Sequence, residues 1–115
     1  MSDITIFHNP RCSKSRAALA LIQERGIEPR IVEYLKHPPA ATELKAIIAK
    51  LGIEAEDLVR KGEEVFKSIY AGRTLSGDEW IAALVRDPIL LERPIVVRGA
   101  RAVIGRPPEN VTKLL

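Results

Sequence analysis

Apolar and polar positions follow strand and helix periods over the first third of the chain. Residues 3–7 alternate and are rich in β-branched side chains, a pattern typical of a short strand that residues 8–10 end. A helix is expected next, with Ser13 as its cap, an apolar stripe on one face and Gly26 just beyond its end. Residues 30–35 predict a second strand. Because a helix connects the two strands, they should run parallel, as a βαβ unit.

Helical spacing governs the middle of the chain. Thr42 is expected to cap one helix there, and Ser76 with Glu79 matches the capping box of another. Two short helical segments are expected between them. The four predicted segments occupy residues 42–51, 55–60, 63–70 and 76–86. Together they indicate a helical insertion over about residues 40–92.

Strand character returns near the end of the chain. Residues 94–97 and 101–104 predict a hairpin that turns at Arg98-Gly99, and residues 107–108 are two prolines that suit the start of a last helix. The expected order is therefore βαβ, a helical insertion and ββα. We interpret residues 1–115 as a single α/β domain.

Composition narrows the class of protein. A chain of 115 residues with 46% hydrophobic content suits one compact domain. The net charge of +3 is spread along the sequence, and only 4% of the residues are aromatic, too few for a set of rings that stacks nucleic-acid bases. Nucleic acid is therefore not expected as a partner. A small anion explains the scattered arginines better.

The sequence also bears on compartment and cofactors. No apolar run approaches about 18 residues, and the first residues lack the basic start of a signal peptide. A soluble protein in the cytoplasm, with no membrane partner, is expected. The single cysteine allows neither an internal disulfide nor a metal cluster of cysteines, and its thiol would survive best in a reducing compartment. No bound metal or other cofactor is expected.

The cysteine lies where a strand gives way to a helix. Cys12 would gain from the unpaired N–H groups and positive dipole of the first helical turn, both of which favour a thiolate. Arg11, Lys14 and Arg16 add positive charge, and the N–H groups of residues 13–15 could cradle an oxyanion. Many lone cysteines are merely small buried hydrophobes. Because these neighbours are polar, we favour a reactive thiol.

The order of elements and the residues at their junctions carry a family resemblance. A cysteine between the first strand and helix, with an X-Pro peptide opening the third strand, resembles the thioredoxin and glutaredoxin fold. The segments that match a family are His8-Asn9-Pro10-Arg11-Cys12-Ser13-Lys14-Ser15-Arg16, Tyr34-Leu35 with Pro38-Pro39, Leu58-Val59-Arg60-Lys61, Arg93-Pro94-Ile95-Val96-Val97 and Gly105-Arg106-Pro107. They resemble the ArsC family of glutaredoxin-coupled arsenate reductases over nearly the whole chain.

The resemblance implies an α/β, thioredoxin/glutaredoxin-like fold whose helical insertion separates the βαβ and ββα halves, with a cis peptide between Arg93 and Pro94. It further implies an oxidoreductase in which Cys12 attacks arsenate, glutathione resolves the covalent adduct, and glutaredoxin completes the reduction to arsenite. Glutathione would be the reducing co-substrate, arsenate or a similar small oxyanion the substrate, and glutaredoxin the protein partner. A monomer is expected.

The same resemblance assigns roles to individual residues. Cys12 would be the nucleophile and His8 would support its ionisation. An oxyanion would be bound by Arg60, Arg93 and Arg106, and supporting roles would fall to Ser15, Arg16 and Pro94. Arginine suits tetrahedral oxyanions because its guanidinium offers a planar fork of donors that stays protonated. Each residue also has a plainer interpretation: Arg60 as a charge at a helix end, and His8 as a strand-end residue paired to backbone.

Two alternatives remain open at this point. Spx-type regulators, which bind RNA polymerase, resemble the chain in overall order but commonly carry a second cysteine where this chain has Ser15. A monothiol glutaredoxin-like exchange protein, without arsenate activity, would also fit a single active cysteine. Ser13 and Lys14 replace the small neutral residues that characterised arsenate reductases carry after the cysteine. The pattern is thus closer to a less characterised branch of the ArsC family.

Overall fold

The computed structural model describes residues 3–115, which form two compact units. One unit comprises the chain up to His37 together with Arg93–Leu115, and the other comprises Pro38–Glu92. The elements of the first unit are β1 (Ile4–His8), α1 (Ser13–Glu24), β2 (Arg30–Glu33), β3 (Ile95–Arg98), β4 (Arg101–Ile104) and a C-terminal 3₁₀ helix (Pro108–Leu114). No helix within residues 3–115 is long and apolar enough to cross a membrane.

The four strands of the first unit form one sheet in the order β2-β1-β3-β4. β1 pairs parallel with β2 and antiparallel with β3, and β3 pairs antiparallel with β4. His8, the last residue of β1, lies opposite Glu33, and Phe7 lies opposite Ile95. The end of β1, the end of β2 and the start of β3 therefore meet at one edge of the sheet. This arrangement confirms the predicted βαβ and hairpin units and the thioredoxin-like fold class.

The core of this unit explains why the helices pack on the sheet. Its buried residues are Ile4, Ile6, Ala18, Ile22, Val96, Val111 and Leu114, contributed by β1, α1, β3 and the C-terminal 3₁₀ helix. Alternation in β1 sends two isoleucines to the same face, and the helical period of α1 places Ala18 and Ile22 one turn apart. Burying each large aliphatic side chain contributes on the order of 1.5–3 kcal/mol to folding. The packed core fixes the end of β1 against α1.

A glycine allows the closest backbone approach in the first unit. The Gly105 N–H donates to the Pro94 carbonyl oxygen over 2.8 Å. A Cβ at position 105 would lie 2.7 Å from Pro94 Cγ, a distance that real Cβ atoms essentially never show, and 3.3 Å from Val111 Cγ1, a tight contact. The peptide between Arg93 and Pro94 is cis, as predicted, and the peptide between Arg106 and Pro107 is cis as well. Gly105 thus brings the segment after β4 against the segment before β3.

The second unit is helical. It contains α2 (Ala41–Leu51), a 3₁₀ helix (Ala55–Leu58), a π-helical turn (Phe66–Tyr70), α3 (Gly77–Arg86) and a 3₁₀ helix (Pro88–Leu90). Three rings cluster in it: Phe66 stacks on Trp80 with centroids 6.1 Å apart, and Tyr70 lies 6.0 Å from Trp80. The predicted helix at residues 63–70 is thus π-helical over its last five residues, where those rings gather.

The helix ends confirm some local signals and correct others. Ser76 caps α3 through the predicted capping box, accepting from the Glu79 N–H over 3.2 Å. The N-cap of α1 is Cys12, not Ser13, and the N-cap of α2 is Ala40, not Thr42. Neither of these two caps makes a side-chain hydrogen bond. At both helix starts the cap residue has an extended backbone and no side-chain cap bond. A prediction based on cap-forming side chains therefore placed the start of α1 one residue late and the start of α2 two residues late.

Replacing Gly105 by alanine should destabilise the protein, because the added methyl would overlap Pro94 and press on Val111. The expected loss in free energy of unfolding is about 1–3 kcal/mol, typical of overpacking a filled site. Urea unfolding monitored by circular dichroism measures it. Gly62→Ala is the matched control, since a Cβ there meets no atom within 4 Å. Equal stability of the two variants would contradict this account of the close approach.

Candidate active site

A tight turn leads from β1 into α1 and holds the cysteine at the helix start. The Cys12 N–H donates to the Asn9 carbonyl oxygen over 3.0 Å, and the Asn9 side-chain oxygen accepts from the Arg11 N–H at 3.0 Å. Asparagine closes such turns because its side chain can bond to backbone two residues ahead. Cys12 then occupies the N-cap with φ −95° and ψ 121°, and it is half-buried. Cys12 Sγ therefore lies at the N-terminal end of α1.

The sulfur lies among groups that favour a negative charge. Arg106 Nη2 is 3.7 Å from Cys12 Sγ. Burial raises the pKa of the Cys12 thiol. The backbone N–H of Ser15, the Arg93 guanidinium and the backbone N–H of Lys14 lower that pKa by more, so it lies below its ordinary value. The structure thus places a thiol that ionises readily beside two guanidinium groups.

The two arginines come from the segments that Gly105 brings together. Arg93 precedes the cis proline before β3 and is 8% exposed. Arg106 Nε donates to the Arg93 carbonyl oxygen over 2.8 Å, and the Arg106 carbonyl oxygen accepts from the Asn110 side chain over 3.1 Å. These bonds hold Arg106 from its side chain and from its backbone. The Arg106 guanidinium is consequently held in place by the protein itself.

His8 is tied to Ser15. Its Nδ1 lies 2.6 Å from Ser15 Oγ, and the same oxygen accepts from the Asn9 N–H over 3.0 Å. Burial lowers the pKa of His8, the charge of Glu33 raises it, and the charge of Arg16 lowers it, with a net fall below the ordinary value. The neutral imidazole is therefore favoured near pH 7. A neutral His8 adds no positive charge beside the thiol, and its support for the ionisation of Cys12 stays a prediction.

The remaining predicted residues lie in two places. Arg16 Nη1 donates to the Pro10 carbonyl oxygen over 2.9 Å, and this bond stabilises the turn before Cys12. Arg60 belongs to the second unit, where its N–H donates to the Leu90 carbonyl oxygen over 2.7 Å. Its Nε lies 3.7 Å from a Glu63 oxygen, and Nη1 is buried with no hydrogen-bond partner among residues 3–115. The placement of Arg60 at the sulfur stays a prediction.

Sequence reasoning missed three residues that shape this site. Asn9 and Asn110 bond to backbone around the cysteine and around Arg106, and Gly105 allows the approach of the two arginine segments. Asn9 carried a signal, because asparagine before proline favours a turn. Asn110 and Gly105 carried none, because their partners are set by the tertiary fold. In the part of the chain that the structure describes, no three histidine, cysteine or acidic side chains lie close enough to hold a metal.

The lowered pKa of Cys12 can be measured through its reactivity. The rate of alkylation by iodoacetamide follows the thiolate, so it should reach half its maximum at a lower pH than in an unfolded chain. Arg93→Gln should move that midpoint to higher pH and slow alkylation at pH 7 several-fold, because a donor and a positive charge leave the sulfur.

Arg25→Gln serves as the control for charge alone, since Arg25 is an exposed residue at the other end of α1. A midpoint that shifts equally in both variants would show that Arg93 has no specific effect on the sulfur.

Ser15→Ala should lower the free energy of unfolding by about 1–3 kcal/mol, because it leaves a buried N–H of Asn9 and the His8 ring without their partner. Ser13→Ala, two residues earlier in α1 and exposed, should change stability little. Thermal unfolding of the three proteins at one pH provides the comparison. Matching losses in the two variants would refute the structural role assigned to the Ser15 hydroxyl.

Comparison with known proteins places this arrangement in a family. The model of the ArsC family matches residues 7–114. An arsenate reductase of Neisseria meningitidis serogroup A is 46% identical over all of both chains, and the Escherichia coli protein YfgD is 45% identical over 97% of this chain and 96% of its own. The solved arsenate reductase of Vibrio cholerae is 44% identical, covers 97% of each chain and superposes with a TM-score of 0.93. The chain belongs to the ArsC family.

Proposed function

We propose that the protein is an oxidoreductase that reduces arsenate to arsenite by chemistry on Cys12. The observation that carries the proposal is the pair of guanidinium groups, from Arg93 and Arg106, at one readily ionised sulfur. A thiolate and an arsenate anion repel each other. Two fixed positive charges offset that repulsion and hold the anion by charge-assisted hydrogen bonds. The names of close relatives as arsenate reductases support the choice of anion.

The first step forms a sulfur–arsenic bond. Cys12 Sγ attacks arsenic, and one arsenate oxygen leaves as water after taking up protons. The sulfur reacts as the thiolate, and the lowered pKa of Cys12 increases the fraction of the thiol in that form. The remaining oxygens of the adduct stay anionic and keep their contacts with the guanidinium groups of Arg93 and Arg106. Arsenic is still in its oxidised state, As(V), after this step.

Reduction needs two electrons and therefore a second and a third sulfur. The chain contains one cysteine, so those sulfurs come from outside it. Glutathione forms a second sulfur–arsenic bond as another oxygen leaves as water. A glutaredoxin thiolate then attacks the glutathione sulfur; a disulfide forms, and the electron pair of the broken bond remains on arsenic as As(III). Hydrolysis releases arsenite and restores Cys12.

The other predicted residues take positioning roles in this scheme. His8 and Ser15 fix the first turn of α1, whose N–H groups face the sulfur, and Arg16 holds the preceding turn through Pro10. Pro94 packs beside Gly105 and keeps Arg93 in place. Arg60 is proposed as a third cation for the arsenate oxygens. The protein is proposed to act as a monomer in the reducing cytoplasm, where glutathione and glutaredoxin are available.

The arsenic chemistry is favoured over the two other classes by what surrounds the sulfur. A thiol-exchange protein needs a thiolate, which the N–H groups of the first helical turn already favour. It has no need of Arg106, which reaches the sulfur from 94 residues along the chain. A regulator that senses oxidation through a disulfide needs a second cysteine in its own chain, and this chain has one.

The test is NADPH oxidation that depends on arsenate in the presence of glutathione, glutaredoxin and glutathione reductase. Cys12→Ser should abolish the signal. Arg106→Gln should lower kcat/KM for arsenate by about 10²–10³, the cost of losing one strong donor to a transition-state oxyanion. Arg25→Gln, an exposed arginine far along α1, should keep the wild-type rate.

Three outcomes would contradict the proposal. The wild-type protein could oxidise NADPH no faster than Cys12→Ser. It could instead turn over glutathionylated peptides with no dependence on arsenate, which would indicate an exchange protein. Co-purification with RNA polymerase that is unaffected by Cys12→Ser, without arsenate turnover, would indicate a regulator.

A further inference from the structure

A groove of about 220 Å³ lies beside the turn that carries Cys12. Its walls are residues 8–11, from the end of β1 and the turn, and Glu33, Leu35 and Lys36, from the end of β2 and the residues after it. We propose that this groove binds the external thiol of the reaction, a small peptide that carries two carboxylates and one ammonium, as glutathione does. The inference rests on the proposed function, because that function requires a thiol from outside the chain.

The sheet places this groove on the side of the cysteine away from the two arginines. β1 lies between β2 and β3. Arg93 and Arg106 precede β3 and follow β4, whereas the groove is built where β1 and β2 end, at the paired residues His8 and Glu33. An oxyanion held by the arginines and a thiol held in the groove would thus approach the arsenic of the Cys12 adduct from different sides. Neither would have to displace the other.

The charges of the groove match those of such a peptide. Arg11 and Lys36 are exposed cations at its rim, and Glu33 supplies one carboxylate. A tripeptide with two carboxylates and one ammonium presents the opposite set. Lys36 Nζ lies 3.6 Å from Glu33, with 73% of the lysine side chain exposed. An ion pair this exposed contributes little to stability, so both partners can turn to a ligand at small cost.

The shape and apolar surface of the groove suit the middle of a short peptide. Leu35 is a large apolar side chain that is 43% exposed, and Pro10 is exposed next to it in the lining. Pockets for drug-sized ligands usually span about 300–1000 Å³. The groove is smaller and open, so it would contact one face of a short peptide and leave the rest in water. A ligand of this kind would bind weakly and leave quickly, as a co-substrate must.

Binding can be tested without turnover. S-Methylglutathione, which cannot react, is titrated into the Cys12→Ser protein, and backbone amide NMR shifts are followed. The largest shifts should fall in residues 8–11 and 33–36. The double variant Arg11→Gln/Lys36→Gln should bind about fivefold to tenfold more weakly, the loss expected for two exposed charge contacts. Arg25→Gln/Lys50→Gln removes the same formal charge elsewhere on the surface and should leave the dissociation constant unchanged.

A kinetic experiment tests glutathione binding in the groove separately from arsenate reduction. In the arsenate assay, Lys36→Gln should raise KM for glutathione and leave KM for arsenate as it was. Shifts confined to the neighbourhood of Arg93 and Arg106, or equal affinity in the two double variants, would overturn the groove assignment even with arsenate turnover intact. Binding at residues 8–11 and 33–36 in a protein that never turns over arsenate would support the groove and defeat the arsenate function.

Discussion

Arg106 makes the contact on which the site depends. One nitrogen of its guanidinium donates to the Arg93 carbonyl oxygen and another lies against the cysteine sulfur, so a single planar group joins the segment before β3 to the first turn of α1. The rigid fork of arginine makes this possible, because its donors keep fixed angles to one another. A lysine at that position could serve one of the two partners. The site is therefore organised by a positive charge that the protein itself holds in place.

The fold supports that contact by bringing distant parts of the chain to one edge of the sheet. Pairing of Phe7 with Ile95 aligns the end of β1 with the start of β3, and the turn after β4 returns beside Pro94 through Gly105. Backbone N–H groups at the start of α1 complete the surroundings of the sulfur. Local sequence places the cysteine at a helix start, whereas strand register places the arginines. Both contribute to the lowered pKa of the Cys12 thiol.

Sequence patterns predicted the fold well wherever the deciding interactions are local or periodic. Alternation, helical spacing and the Ser76–Glu79 capping box correctly indicated the strands, the helices and the start of α3. Cys12 as the focus of the site followed from its neighbours, and the cis peptide at Pro94 followed from a family resemblance. Ser13 failed as a cap for α1, whose N-cap is Cys12, and the nearby Ser15 hydroxyl is engaged by the His8 ring and the Asn9 N–H. The second cis peptide, the neutral state favoured for His8 and the contacts of Asn110 depend on tertiary packing, which no local pattern encodes.

The close packing around Gly105 ties the end of the sheet nearest Cys12 to the core. The space at that glycine is bounded by Pro94 on one side and by the core residues Val111 and Ala18 on the other. A bulkier side chain at position 18 or 111 would push on the backbone next to Arg106 before it disturbed the rest of the sheet. Core substitutions at these two positions that leave the protein folded would therefore misalign the Arg106 guanidinium. Substitutions at Ala18 and Val111 should therefore be tolerated less well than the distance of these two residues from Cys12 suggests.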